Sequence, residues 1–146
     1  MDKKIKWILA AFIVFGFIGF LDAAYLTIEH YNQGILPCYI FEGCDKVTTS
    51  KYSEVFGLPV AMFGAIYYLL IVLTAIFYFD AKNKTALNIL KIFPSAGFLA
   101  SIWFVYVQLF VIEAICFYCM ISAVTSTALF ILSLFLIKFT KNAKQK

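Results

Sequence analysis

The residues best suited to chemistry are four cysteines in two close pairs, Cys38 with Cys44 and Cys116 with Cys119. The late pair is a C-x-x-C, Cys116-Phe117-Tyr118-Cys119. On a helix, positions i and i+3 share a face, so the two thiols can approach. The positive end of the helix dipole favours thiolate, the attacking form of a thiol. A C-x-x-C that opens a helix is therefore a redox geometry. The early pair is a C-x5-C with Pro37 before it and Gly43 inside it. Those residues let the chain turn and bring the two Cα atoms within disulfide range, about 5.5 Å. Closing so short a loop stabilises by only about 2–2.5 kcal/mol. Such a disulfide suits exchange with an incoming thiol better than it suits a structural clip. Three plainer readings compete: two structural disulfides, a zinc site, or inert small residues. Zinc needs all four sulfurs at about 2.3 Å from one ion, and the C-x5-C spacing is unlike common zinc knuckles.

The composition says what must carry these thiols. Of 146 residues, 64% are hydrophobic and 14% are charged. Ordinary soluble domains are about 45–50% apolar and about 25% charged. A soluble fold of this size leaves too much surface exposed to hide so much apolar area. The same numbers exclude a disordered chain. A net charge of +4 with no arginine excludes a DNA-binding module. The solvent for this chain is a lipid bilayer, and 19% aromatic residues suit lipid-facing helices with interfacial belts.

A spanning helix needs about 20 mostly apolar residues. Four segments qualify: 7–28, 58–79, 92–112 and 116–137. Lipid offers the backbone no partners, so each is expected to be helical. The first has a basic start, yet its apolar run is too long for a signal core. It is expected to remain as the first helix. Ten of the 12 lysines fall at the N-terminus, in the link between the second and third segments, or in the tail. The positive-inside rule then places both termini in the cytoplasm. What remains outside is one long loop, 29–57, and a short turn, 113–115. All four cysteines lie at that outer face, where disulfides are permitted in bacteria and in the secretory pathway. Their clustering on one face argues against chance. The expected fold is an all-α integral membrane protein: a four-transmembrane-helix bundle forming a single membrane domain over 1–146.

Other residues carry weaker signals. Asp22 lies inside the first segment, where a charge is costly; it is a candidate proton acceptor, or else a hydrated or paired interfacial group. His30 is the only histidine, and a lone interfacial histidine is ordinarily neither ligand nor acid–base group. Glu113 precedes the C-x-x-C and reads as a loop-end carboxylate. Trp7, Tyr25 and Tyr31 fit interfacial anchors. Pro94 could kink the third helix and widen a lipid-side opening, or serve packing alone. Phe63 and Tyr67 are i, i+4 neighbours that could line a pocket, against the plainer reading of core or lipid contact.

The cysteines and their surroundings resemble the vitamin K epoxide reductase family, in its bacterial branch. The matching residues are Cys38-x5-Cys44-Asp45-Lys46-Val47-Thr48-Thr49-Ser50, then Phe56-Gly57-Leu58-Pro59-Val60 and Gly64, and finally Cys116-Phe117-Tyr118-Cys119. The resemblance runs from about 7 to 137 and implies four helices, with the first pair between helices one and two. It implies that Cys38 meets a reduced thioredoxin-fold partner. It implies that Cys44 passes electrons on through a transient disulfide with Cys116, and that Cys119 reacts with a quinone. Ser50 matches the family's serine near the active site, within a segment 46–57 that includes a short interfacial helix. The animal enzymes carry an asparagine early in the second helix and a tyrosine four residues after the last cysteine. Here Leu58-Pro59-Val60-Ala61 and Ala123 stand there, which favours simple quinone reduction over epoxide reduction. Many bacterial members carry a fused thioredoxin-like domain; here the partner is expected to be a separate chain.

The expected function is thus a membrane thiol–disulfide oxidoreductase in the bacterial inner membrane, its active site facing outward. Cys38, Cys44, Cys116 and Cys119 would be catalytic. Ser50, Phe63 and Tyr67 would bind a quinone of the ubiquinone, menaquinone or vitamin K type. A DsbB-like enzyme does the same work, but its C-x-x-C comes in the first outer loop. A small transporter coupled through Asp22, or a structural tetraspan with disulfide clips, are the readings from other classes.

Overall fold

The structure, a computed structural model, describes residues 2–32, 46–47 and 49–145. Four helices are long and apolar enough to cross a membrane. They are α1 (Lys3–Asn32), α2 (Val60–Ala81), α3 (Lys84–Tyr106) and α4 (Phe117–Lys144). The last turns of α3 continue as a π-helical segment, Val107–Ile112. The chain is a four-helix membrane bundle.

Each helix differs from its expected bounds, for a physical reason. Hydropathy marks the hydrocarbon crossing, whereas a helix runs on through good helix formers beyond it. So α1 and α4 include their flanking lysines. α3 begins at Lys84 instead of 92 because Asn83 caps it, accepting a 2.8 Å hydrogen bond from the Thr85 N–H. The link from α2 shrinks to two residues, with Lys82 left-handed (φ 52°) and its N–H bonded to the Tyr78 carbonyl. α2 begins at Val60 instead of 58 because Leu58–Pro59 forms a strand, β2, paired with β1 (Glu54–Val55). Phe56 and Gly57 make the two-residue turn, both at positive φ, 54° and 76°. That is the turn whose twist suits a hairpin. Two-residue strands are too short for an alternation signal, so the sequence did not reveal them. Within the described part of the outer loop, Lys46–Val47 is helical and Lys51–Ser53 forms a 3-10 turn.

α1 packs chiefly on α2 and α4, while α3 packs on α4 and more lightly on α2. The centre holds Leu9 and Phe12 of α1, Ile71 and Ala75 of α2, Leu90 of α3, and Leu129 and Leu136 of α4. Large apolar residues such as Leu99, Trp103 and Phe110 point outward, as suits a lipid surface. Pro94 is fully buried within α3. It therefore serves helix packing, not a lipid-side opening.

Tyr68 joins three helices. Its ring lies against Gly19 of α1, where an added Cβ would stand 2.5 Å from the ring. Small residues permit such approach between membrane helices. Its hydroxyl donates to the Ser122 carbonyl at 2.7 Å, and the hydroxyls of Ser122 and Ser126 lie at 2.9 and 3.0 Å. Gly19→Val should therefore displace Tyr68 and destabilise the bundle by about 1–3 kcal/mol, the range for overpacking. Unfolding of the purified protein in detergent measures this, and a wild-type midpoint would contradict it.

Candidate functional site

The site begins where the membrane helices break. At the end of α3, Gln108 is buried, only 3% exposed. Its carbonyl oxygen accepts from the backbone N–H groups of Glu113 and Ala114. Glu113 takes a left-handed φ of 56° to make that turn. The Gln108 side-chain oxygen Oε1 accepts from the Cys116 N–H at 3.1 Å. One residue thus satisfies three N–H groups of the connection to α4.

That connection sets the cysteine geometry. Cys116 is the N-cap of α4, with extended backbone angles, and the helix proper starts at Phe117. Cys119 is then the third helical residue. N-cap and third-position side chains meet at a helix start, as they do in a capping box. Both are free thiols, close enough for one to hydrogen-bond to the other. Leu26 and Val47 pack around Cys116, which has no exposed surface.

The two thiols face differently. A cavity of about 350 Å³ lies among all four helices, and Cys119 is on its wall while Cys116 is not. Phe63, Tyr67 and Tyr68 line it from α2, and Gly97, Ser101 and Gln108 from the third span. Ser122 and Ser126 of α4 complete that side, and His30, Ser50 and Tyr52 stand toward the outer loop. The sequence-expected pair Phe63 and Tyr67 therefore lines a pocket. Ser50 does too, with its hydroxyl donating to the Val47 carbonyl at 2.8 Å. Cys38 and Cys44 lie outside the described residues.

Two buried polar atoms lack hydrogen-bond partners among the described residues: Tyr67 Oη and Asp22 Oδ2. Tyr67 Oη lies against Gly97, where any Cβ would collide with it. Its ring packs on those of Tyr68 and Phe93, each 5.1 Å away. A buried hydroxyl without a partner costs free energy, so it suits an acceptor brought by a ligand. Asp22 lies within electrostatic range of Cys116, Cys119 and Tyr68. A mostly apolar pocket with a few fixed polar groups fits a planar quinone head group in kind.

Over the cavity, His30 Nε2 lies 3.0 Å from Glu54 Oε1, tying the end of α1 to the hairpin. The sequence reading passed over this contact, because nothing in the spacing of residues 30 and 54 links them. It also passed over Gln108, although a carboxamide inside an apolar span was a visible signal.

The model of the vitamin K epoxide reductase family matches residues 10–134. The chain belongs to that family. The match takes in parts of all four helices, the C-x-x-C and the cavity walls. Membership makes this protein a membrane oxidoreductase. No curated protein matches the chain closely enough to add a nearer relative. Among vitamin K epoxide reductase family features, the structure adds the asymmetry of the C-x-x-C: one sulfur on the cavity, one packed behind it. With Cys38 and Cys44 replaced by Ser, an apolar maleimide should therefore label reduced Cys119 faster than Cys116. Peptide mass spectrometry over a time course reads the order, and the reverse order would contradict the geometry.

Proposed function

We propose that the protein oxidises the thiols of a thioredoxin-fold partner outside the cytoplasm and passes the electrons to a quinone. One observation carries this reading: the Cys119 thiol stands on the wall of an apolar intramembrane cavity, with Cys116 against it but away from the cavity. The lysine distribution supports both termini inside and the C-x-x-C at the outer face.

The sequence of exchanges follows from thiol chemistry. A partner dithiol attacks the Cys38–Cys44 disulfide; the partner leaves as a disulfide and Cys38 and Cys44 become thiols. Cys44, as thiolate, attacks Cys116 of the Cys116–Cys119 disulfide. The Cys44–Cys116 bond forms and Cys119 leaves as thiolate at the cavity wall. Cys38 then attacks Cys44, re-forming their disulfide and releasing Cys116. Re-closing the Cys116–Cys119 bond gives up two electrons. A quinone bound in the cavity supplies the two-electron sink and takes up two protons as it becomes quinol. The sum is partner dithiol plus quinone to partner disulfide plus quinol.

The remaining residues bind and hold. Tyr67 Oη, unpartnered among the described residues, donates to a quinone carbonyl oxygen. Phe63 offers the ring an apolar surface, and Ser50 borders the same space. Asp22, within electrostatic range of both thiols, accepts a proton from the pair. That position also explains a carboxylate in a membrane helix without a transport role.

Reduction of a soluble quinone by purified protein, supplied with a reduced thioredoxin-fold substrate, tests this directly. Cys119→Ala should lose quinone reduction altogether; activity at the wild-type rate would sink the mechanism. Cys38→Ala should accumulate a Cys44–Cys116 disulfide detectable by mass spectrometry. Tyr67→Phe should raise the quinone KM several-fold, the worth of one neutral hydrogen bond, with little change in folding. An unchanged KM would remove Tyr67 from the quinone site.

A further inference from the structure

The Gln108 carboxamide has two ends, and the turn between α3 and α4 uses only one. The backbone N–H of Cys116 points at one side-chain atom from 3.1 Å. An N–H donor needs an acceptor, so that atom is the oxygen; the network sets the orientation of the amide. The other end is an NH2 group with two hydrogens to donate. No hydrogen bond from it is present among the described residues. Gln108 is 97% shielded, and it lines the same cavity as Cys119. The Cys116 N–H holds the side chain by its oxygen, and the Glu113 and Ala114 N–H groups hold the backbone carbonyl of the same residue. A donor is thus held at the wall of the apolar cavity that Cys119 also borders. An acceptor brought into the cavity would take up that donor.

We propose that Gln108 Nε2 hydrogen-bonds a carbonyl oxygen of a para-quinone head group and so positions the ring against Cys119. This rests on the quinone reading of the cavity. A para-quinone carries two carbonyl acceptors, and the residues of the cavity wall include two such donors on different helices, Tyr67 of α2 and Gln108 of the third span. The same carboxamide holds the Cys116 N–H through its oxygen. Gln108 thereby couples the backbone of the thiol pair to the placement of the electron acceptor: a shift in the α3–α4 turn shifts both.

The test separates the two ends of the side chain. The full-length protein is purified in nanodiscs in a Cys119→Ser background, so that binding is read without any covalent step. Quenching of intrinsic fluorescence follows menadione, and 2-methylnaphthalene serves as a probe of the same ring skeleton without carbonyls. Gln108→Glu keeps an oxygen for the Cys116 N–H but loses the NH2 donor. It should weaken menadione binding on the order of tenfold, the factor for one hydrogen bond. It should leave 2-methylnaphthalene binding and the unfolding midpoint unchanged. Gln108→Met loses both ends and should weaken menadione binding while also lowering the midpoint. If Gln108→Glu binds menadione as tightly as the parent, Gln108 is only a cap and the proposal is wrong. If it weakens both probes equally, the cavity has changed shape and the proposal is again wrong. If the parent binds 2-methylnaphthalene but not menadione, the quinone reading itself fails, and this inference with it.

Discussion

In the hydrocarbon of a bilayer, each backbone N–H and C=O must find its partner within the protein. Helices meet that demand along their length but not at their ends, where the first N–H groups are left over. This chain places its reactive thiols at such an end. The break between α3 and α4 is one such place. Gln108 meets the demand there from two sides, with its carbonyl oxygen toward Glu113 and Ala114 and its side-chain oxygen toward Cys116. The π-helical turn that carries Gln108 and the left-handed Glu113 follow from that arrangement. So does the position of Cys116 as N-cap, which puts Cys119 within reach of it.

Two neighbouring tyrosines show how the bundle separates structure from ligand. Tyr68 is satisfied three times over by Ser122 and Ser126 and is held against Gly19. It binds α1, α2 and α4 into one body. Tyr67, one residue earlier, turns toward Gly97 and finds no partner within the described residues. On a helix, adjacent residues point about a quarter-turn apart, so the two hydroxyls reach different neighbours although both residues border the cavity. Small residues oppose both rings. Opposite Tyr68 the glycine allows close packing, and opposite Tyr67 it leaves room for the hydroxyl at the cavity edge.

The difference between Cys116 and Cys119 gives the thiol pair a direction. A thiol packed behind the wall meets protein; a thiol on the wall meets whatever the cavity holds. In this membrane oxidoreductase of the vitamin K epoxide reductase family, one thiol of the C-x-x-C borders the cavity and the other does not. The His30–Glu54 contact ties the hairpin to the end of α1 above the cavity. The outer part of the site therefore depends on the loop as well as on the helices.

Much of this was legible in the chain. Four apolar segments separated by charged or polar links dictate four spanning helices, because lipid leaves the backbone no other choice. The spacing of Cys116 and Cys119 dictates a thiol pair at the start of a helix. Phe63 and Tyr67, four residues apart, were visible as one face of α2. Local spacing does not reveal what stands opposite a face, and there the tertiary structure decided. Only the packing of α2 against Gly19 and Gly97 distinguishes Tyr68 from Tyr67. Only the fold brings Asp22 within electrostatic range of the thiols and His30 to Glu54, since those residues belong to distant segments. Gln108 stood in plain view as a polar residue within an apolar span. Its purpose depended on the turn that carries it back to Cys116. Hydrophobicity acts along the chain and can be read there, whereas a hydrogen bond acts between particular atoms and exists only once the chain has brought them together.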